Sequence, residues 1–453
     1  MVKTGRLKNG IRVVTEQMPQ LRTVSFGVWV GVGSADETAE NNGIAHVIEH
    51  CLFKGTRTRT AKQLADEISA IGDQLNAYTG KESTAFYGVT LTEYLPKLME
   101  LMGDMLTNST FEEEPLKKEL GVILEEIDMY DDSPEDLVHE LLQKSVWKDH
   151  PLGYLISGEK KVVQAMTKQQ IVAFMQEHYY GANMVVSVAG SFPETEFWEN
   201  LERYFGKIPA EPAGSGALAA QVIKQGKRSV GGFCAGKGFT SSPYGQRFVK
   251  TEQPQFHRCF CKREKDVEQL YMNLAFEAVP ETDELRHTLT VANALLGGSN
   301  NSRLFQKIRE EFGLAYSVYS YSSLYRRAGL FHVDVIINPA NAVTVYRKLT
   351  EILKEFSSEK VPREELAALY TQLRTELIMG SESARNRMEH NAKALMLHKR
   401  LIPLEETIEK LREVTPEDIQ FFAGKYLDLG KCSICLVGDI KEAEEPVKQL
   451  WRS

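Results

Sequence analysis

The stretch Thr167-Lys-Gln-Gln-Ile-Val-Ala-Phe174 recurs later in the chain as Thr415-Pro-Glu-Asp-Ile-Gln-Phe-Phe422. Each threonine is a candidate N-cap, because its hydroxyl can accept a hydrogen bond from the first turn of a helix. After each predicted helix comes a run of β-branched residues that ends at a glycine, Gly190 or Gly438, at the same distance from its threonine. This repetition predicts that the chain contains two copies of one α+β unit.

Strand-like patterns within each copy indicate what the helices cover. Residues 24–30 and 331–337 have strand patterns, and such segments alternate with predicted helices along the chain. We therefore predict the α+β class, with two duplicated sandwich-like halves, each a mostly antiparallel sheet covered by helices. The expected domains are residues 1–212 and 256–453.

The joint between the halves, residues 213–255, has an unusual composition. Its part from Ala213 to Thr251 contains eight glycines and six lysines or arginines but no acidic residue. Such a composition is typical of a solvated linker or an inserted loop. Aromatic residues keep open a second interpretation, a loop that binds a partner or gates substrate: Phe233, Phe239, Tyr244 and Phe248.

Length and charge exclude several classes of protein. With 453 residues, 42% of them hydrophobic, the chain is long enough for at least two domains. Its net charge of −8 disfavours nucleic acid and anionic membranes as partners. The sequence contains no apolar run of membrane-spanning length, and its first residues lack a signal-peptide core. Because six cysteines are too few for a disulfide framework, we expect a reducing compartment and a cytoplasmic location.

The segment from Asn42 to Phe53 contains the pattern His46-x-x-Glu49-His50 at a predicted helix start. Two histidines four residues apart lie on one helical face, so both imidazoles can reach a single Zn²⁺ ion. Glu49 shares that face and is placed to take a proton from a water molecule on the metal. The alternative is that the histidines are partly buried helix residues beside an incidental glutamate.

A catalytic zinc site needs a third protein ligand, and a second predicted helix offers two candidates. Glu119 and Glu126 are seven residues apart and therefore share one helical face. The apolar neighbours Val122, Ile123 and Ile127 predict that part of this helix is buried, and a buried glutamate needs a partner such as a metal or a metal-bound histidine. Spacing alone leaves two solvated helix acids as an equal alternative.

Together these motifs resemble the pitrilysin/insulinase superfamily of inverted zinc peptidases, in its bacterial branch that is similar to the mitochondrial processing peptidases. The resemblance depends on His46-x-x-Glu49-His50, followed at long spacing by Glu126 in the stretch that begins at Glu119. It extends over nearly the whole chain except the joint, with supporting motifs at Gly33–Glu37, Asn76–Thr79 and Asn301–Phe305.

The resemblance implies a role for each matching residue. The zinc ligands would be His46, His50 and Glu126, the general base would be Glu49, and Glu119 would orient a ligand histidine. The resemblance also implies that an arginine and a tyrosine stabilise the oxyanion and hold substrate, and that a strand edge binds extended substrate backbone. The matching residues are Arg309 and Tyr316, and Asn76 and Ala77.

The resemblance further implies one active and one degenerate half. The corresponding segment of the second half, residues 284–290, keeps one histidine and lacks the ligand spacing. In short members of the superfamily one chain makes half of a clamshell chamber, so we expect a homodimer or a heterodimer with a related subunit. Arg309 and Tyr316 would then serve the zinc of the partner chain.

We therefore expect a zinc metalloendopeptidase, with one Zn²⁺ ion per chain, that cleaves short or unfolded polypeptides. One alternative is a noncatalytic or partner-dependent assembly subunit, although such members typically lose motif residues that this chain retains. A second alternative is a dedicated maturation protease for a small peptide, which uses the same chemistry on a narrower substrate. The unusual joint keeps this second alternative open.

Overall fold

The computed structural model of the chain describes residues 2–148, 150–212 and 253–452. Most of the joint at 213–255, and with it the choice between linker and binding loop, lies outside these residues. Within the described ranges, no helix combines the length and the apolar composition that crossing a lipid bilayer requires.

The described residues divide into two compact units that exchange segments. The first unit contains residues 2–126, 154–212 and 383–396, and the second contains residues 127–153, 253–382 and 397–452. The domains predicted from the sequence do not include this exchange. A repeat marks where each copy begins along the chain, but it carries no information about which sheet a given helix packs against.

The first unit contains a sheet of six strands in the spatial order β1-β2-β6-β3-β5-β4. Only the β2–β6 pair is parallel, so the sheet is mostly antiparallel, as predicted. Strand β4 forms an edge of this sheet. The strands are β1 (Val2–Arg6), β2 (Arg12–Gln17), β3 (Thr23–Val30), β4 (Leu75–Thr79), β5 (Thr84–Leu91) and β6 (Met184–Gly190).

The second unit repeats this topology with five strands in the order β7-β11-β8-β10-β9, again with one parallel pair, β7–β11. The equivalent strands follow in the same spatial order as β2-β6-β3-β5-β4, which confirms the predicted duplication and the α+β class. The strands are β7 (Phe260–Glu264), β8 (Leu270–Ala278), β9 (Ala315–Leu324), β10 (Gly329–Ile337) and β11 (Ser433–Gly438).

Helices account for most of the remaining described residues. In the first part of the chain they are α1 (Ile44–Leu52), α2 (Ala61–Ala70), α3 (Leu95–Asn108), α4 (Glu113–Asp132), α5 (Pro134–Val146), α6 (Lys160–Gln164), α7 (Lys168–His178) and α8 (Glu194–Phe205). In the second part they are α9 (Arg286–Leu296), α10 (Ala342–Ser358), α11 (Arg363–Ser381), α12 (Ala384–Leu397), α13 (Leu404–Glu413), α14 (Pro416–Tyr426) and α15 (Glu444–Arg452).

The two repeated threonines are N-caps, as the sequence predicts. Thr167 accepts a hydrogen bond from the backbone N–H of Gln170 at the start of α7, and Thr415 does the same with Asp418 at the start of α14. In both copies the side chain of the third helical residue also bonds back to the cap, which forms a capping box. The same local chemistry therefore starts the same helix in each unit.

Polar contacts attach the exchanged segment 383–396 to the first sheet. Arg387 of α12 donates to both carboxylate oxygens of Glu16 in β2 over 2.6 to 3.0 Å. Asn391 of the same helix donates to Glu16 Oε2 over 2.7 Å. Because Glu16 and Asn391 are buried, these charge-assisted bonds compensate the carboxylate for lost water.

Candidate metal centre

Helix α1 positions the two histidines of the His46-x-x-Glu49-His50 pattern. Its apolar face is buried in the first unit through Ile44, Val47, Ile48, Cys51 and Leu52. His46 and His50 are one helical turn apart on this short helix, and their ring centroids are 4.5 Å apart. Packing of the apolar face therefore fixes the direction in which both imidazoles point.

Helix α4 brings Glu126 to the two histidines. Glu126 Oε2 lies 3.4 Å from His50 Nε2 and 3.8 Å from His46 Nε2. The ligand atoms of the three residues all lie within 4.8 Å of one another. Among the described residues this is the group of three histidine, cysteine or acidic side chains that can hold a metal ion. The segment 284–290 of the second half contributes no such group.

The protonation of this donor set fits a zinc ion. Burial lowers the pKa of His46 to about 4, so its imidazole is neutral at pH 7 and carries a free lone pair. His50 Nδ1 lies 2.9 Å from Glu119 Oε1, and because a carboxylate only accepts, Nδ1 is the donor of this bond. This leaves Nε2, 3.4 Å from Glu126 Oε2, as the ring nitrogen that would bind a metal. Two imidazoles and one carboxylate form a ligand set that leaves a fourth position for water.

Helix α4 presents one buried and one exposed side near these acids. Glu119 is buried and Glu126 is partly buried, together with Ile123 and Ile127. Val122, which the sequence analysis took as a sign of burial, is instead 53% exposed. Helical periodicity places Val122 on the far side of Glu119 and Glu126 from the buried stripe that contains Ile123 and Ile127.

Thr79 at the end of β4 holds the carboxylate of Glu49. Its hydroxyl donates a hydrogen bond of 2.6 Å to Glu49 Oε2. Burial raises the pKa of Glu49, and the bond from Thr79 acts in the opposite direction. Thr79 belongs to the Asn76–Thr79 motif, but the sequence predicts no role for it, because the contact joins residues thirty positions apart.

Glu37 caps helix α1 from a distance. The N-cap residue Gly43 has a φ of 97° and no side chain to accept from the first turn. The buried Glu37 carboxylate accepts instead from the backbone N–H groups of Gly43 and Ala45, over 2.7 and 2.9 Å, and from Asn42 Nδ2 over 2.8 Å. Burial raises the pKa of Glu37 to about 8, and these hydrogen bonds lower it. Glu37 therefore fixes the start of the helix that carries both histidines.

The predicted substrate-binding residues lie on an edge strand. Asn76 and Ala77 belong to β4, which pairs with β5 on one side, Asn76 with Tyr87 and Ala77 with Phe86. Asn76 is exposed, and Ala77 is half-buried. Because the same strand ends at Thr79, the edge leads directly to the Glu49 carboxylate.

The predicted oxyanion residues belong to the second unit. Arg309 lies in the π-helical segment Phe305–Glu311, with its guanidinium carbon 4.9 Å from the centre of the Phe305 ring. Tyr316 lies in β9 and is 73% exposed, so it is not a core aromatic. Both side chains are accessible in their unit, and their roles stay predictions.

Two protein-family models match the chain. The model of the insulinase family, peptidase family M16, matches residues 12–160, which include His46, His50 and Glu126. The model of the peptidase M16 inactive domain matches residues 165–373, which lack the histidine pattern. Together with the relatives below, these matches show that the chain belongs to peptidase family M16, in the pitrilysin/insulinase superfamily.

Similar proteins are found in several bacteria. The chain is 34% identical to an uncharacterised zinc protease of Bacillus subtilis, YmxG, over 93% of this chain and 95% of the relative. It is 36% identical to an uncharacterised zinc protease of Rickettsia felis, over 93% of each chain. The relatives' names support the assignment of this chain to the proteases.

Solved structures confirm the fold. A protease from Helicobacter pylori superposes with a TM-score of 0.82 at 19% identity, over 97% of this chain and 99% of the other. A protein from Pseudomonas fluorescens described as a peptidase M16 inactive domain superposes with a TM-score of 0.79, also at 19% identity, over 96% and 98%. At this identity the comparison supports the fold of the chain rather than its activity.

Proposed function

We propose that the protein is a zinc-dependent metalloendopeptidase that hydrolyses peptide bonds of short or unfolded polypeptides. The observation that carries this proposal is the convergence of His46, His50 and Glu126 within 4.8 Å. Glu49 lies in the same helix as both histidines, with its carboxylate held by Thr79. A ligand set of this kind with an adjacent carboxylate is the arrangement that metal-assisted hydrolysis requires.

Residues of the chain transfer the protons and orient the reacting groups. A zinc ion at this site would polarise the scissile carbonyl and acidify a water molecule. Glu49 accepts the proton of the attacking water and then donates it to the leaving amine. Burial raises the pKa of Glu49, which makes the carboxylate a stronger base than an exposed glutamate.

Strand β4 would bind the substrate. Among the described residues β4 is the edge strand of its sheet and contains Asn76 and Ala77, and an extended peptide can add to such an edge through backbone hydrogen bonds. This mode of binding depends little on side chains, which favours a broad range of unfolded or short peptides. Arg309 and Tyr316 would stabilise the tetrahedral oxyanion through a guanidinium and a phenol.

The retained acidic and imidazole groups favour an enzyme over an assembly subunit. No position of the motif is lost, and its residues lie in helices α1 and α4: His46, Glu49, His50, Glu119 and Glu126.

The low cysteine content also suits a reducing cytoplasm. We place the protein there, with peptides as its partners rather than nucleic acid or membrane.

Chelation followed by zinc addition tests this function. The wild-type protein is incubated with a quenched fluorescent peptide library, before and after removal of metal by a chelator. We expect cleavage to stop on chelation and to return when about one equivalent of zinc per chain is added. Zinc-loaded protein that cleaves no member of the library, alone or with a related subunit, would contradict the proposal.

A second chain, identical or related, would complete the site. We expect Arg309 and Tyr316 to act on the zinc centre of the partner, so two defective chains should complement each other. A purified mixed dimer of a Glu49→Gln chain and a Tyr316→Phe chain would contain one complete site of two and recover about half of the wild-type activity. Activity no higher than that of the Tyr316→Phe homodimer would show that Tyr316 acts within its own chain.

A further inference from the structure

The carboxylate of Glu119 is a bridge with a different partner on each oxygen. Oε1 lies 2.9 Å from His50 Nδ1, and Oε2 lies 2.8 Å from Lys54 Nζ. The Glu119 side chain is only 7% exposed, so the protein rather than bulk water has to satisfy both oxygens. Lys54 is therefore linked to His50 through the carboxylate of Glu119.

We propose that Lys54 is a positioning residue of the metal centre, which acts through Glu119 to fix the ring of His50 and strengthen zinc binding. This inference rests on the zinc site of the proposed function. It concerns a residue to which neither the motif pattern nor the resemblance gives a role.

The geometry shows what the lysine restrains. With an ion pair on Oε2, the carboxylate plane cannot rotate without breaking a contact, so Oε1 stays directed at His50 Nδ1. That bond in turn fixes the orientation of the imidazole ring and keeps Nε2 on the side of Glu126, where the metal would bind. If the ammonium is removed, a nearly buried oxygen loses its partner, and the carboxylate gains freedom to turn away from the imidazole.

Lys54 also joins the two helices that carry the ligands. It follows the C-terminus of α1, where its backbone N–H donates to the carbonyl of Cys51 over 3.0 Å. A cation at this end is favoured by the helix dipole. Through Glu119 the lysine contacts α4, the helix that supplies Glu126. The contact therefore ties the pair of histidines to the third ligand.

If Lys54 only stabilised the fold, its substitution would change the melting temperature and leave the zinc affinity of the folded protein unchanged. The Lys54 side chain is 40% exposed, and ion pairs with an exposed member contribute little to the free energy of unfolding. Because Glu119 Oε2 also loses its partner, Lys54→Met should lower the melting temperature of the metal-free protein by about a few degrees at most. Its effect should appear in zinc affinity, which a general surface charge would not alter.

The test measures the zinc dissociation constant by competition with a chromophoric chelator. We expect Lys54→Met to weaken zinc binding about tenfold, at the lower end of the range for outer-shell partners of a ligand histidine. Lys54→Arg, which keeps the charge, should recover most of the affinity. The matched control is Lys62→Met, which removes an equal charge from an exposed pair with Asp66 in the same unit. Lys54→Gln replaces Lys54→Met if the latter does not fold.

A double-mutant cycle shows whether the lysine acts through the glutamate. In a Glu119→Gln background, Lys54→Met should have little further effect on zinc affinity, because the bridge is already lost. A full additional tenfold loss in that background, or equal affinities of Lys54→Met and Lys62→Met, would overturn the inference while leaving the zinc site intact. A wild-type protein without zinc affinity would overturn the proposed function together with the inference.

Discussion

Glu49→Gln is expected to lower kcat/KM for peptide hydrolysis about a thousandfold, within the range that a positioned general base contributes. The amide has nearly the shape of the carboxylate, and its oxygen can still accept the hydrogen bond from Thr79. It cannot take a proton from the attacking water. Because Glu49 is not one of the three converging ligand residues, the variant should still bind one zinc ion per chain.

This prediction requires metal content and hydrolysis to be measured on the same preparations. Glu40→Gln is the matched control, since Glu40 is exposed and precedes the same helix. The control should keep wild-type activity and zinc content. A Glu49→Gln protein that keeps both its zinc and more than about a tenth of the wild-type rate would exclude Glu49 as the general base.

Glu126→Gln is expected to weaken zinc binding more than about a hundredfold, which exceeds the usual effect of an outer-shell partner. Glu126 Oε2 faces the Nε2 atoms of both histidines, so the carboxylate contributes both a ligand atom and the negative charge opposite the ion. An amide keeps the shape but removes that charge. Peptide hydrolysis should fall with zinc occupancy and recover in part at high zinc concentration.

The neighbouring residue provides the control. Glu125→Gln removes the same charge from the same helix, but Glu125 is exposed and does not belong to the converging group. Chelator competition should give Glu125→Gln the affinity of the wild type. Equal zinc affinities for the Glu126 and Glu125 variants would show that the ion binds without the third predicted ligand.

Local patterns predicted the parts of the structure that depend on local chemistry. Thr167 and Thr415 start equivalent helices because a capping hydroxyl acts within four residues of its own position. His46 and His50 lie together because helical periodicity places them one turn apart. The position of Glu126 beside them required the family resemblance, since spacing alone left solvated acids as an equal alternative.

Contacts between distant segments were not predictable from patterns. The bonds of Thr79 to Glu49 and of Lys54 to Glu119 depend on how a strand end and two helices pack in the first unit. Glu37 belongs to the Gly33–Glu37 motif, but its role as a distant cap depends on tertiary structure. The N-cap residue Gly43 has a left-handed backbone and no capping side chain, and its N–H donates to Glu37 instead. The exchange of the segments 127–153 and 383–396 likewise depends on tertiary packing, which a repeat in sequence does not specify.

The central claim is that His46, His50 and Glu126 bind one zinc ion, and anomalous diffraction at the zinc absorption edge tests it most directly. In crystals of the zinc-loaded protein, we predict one strong anomalous peak per chain in the first unit. It should lie about 2.0–2.1 Å from the Nε2 atoms of both histidines and about 2.0–2.2 Å from a carboxylate oxygen of Glu126. A peak held by other residues, or none at these three, would contradict the account.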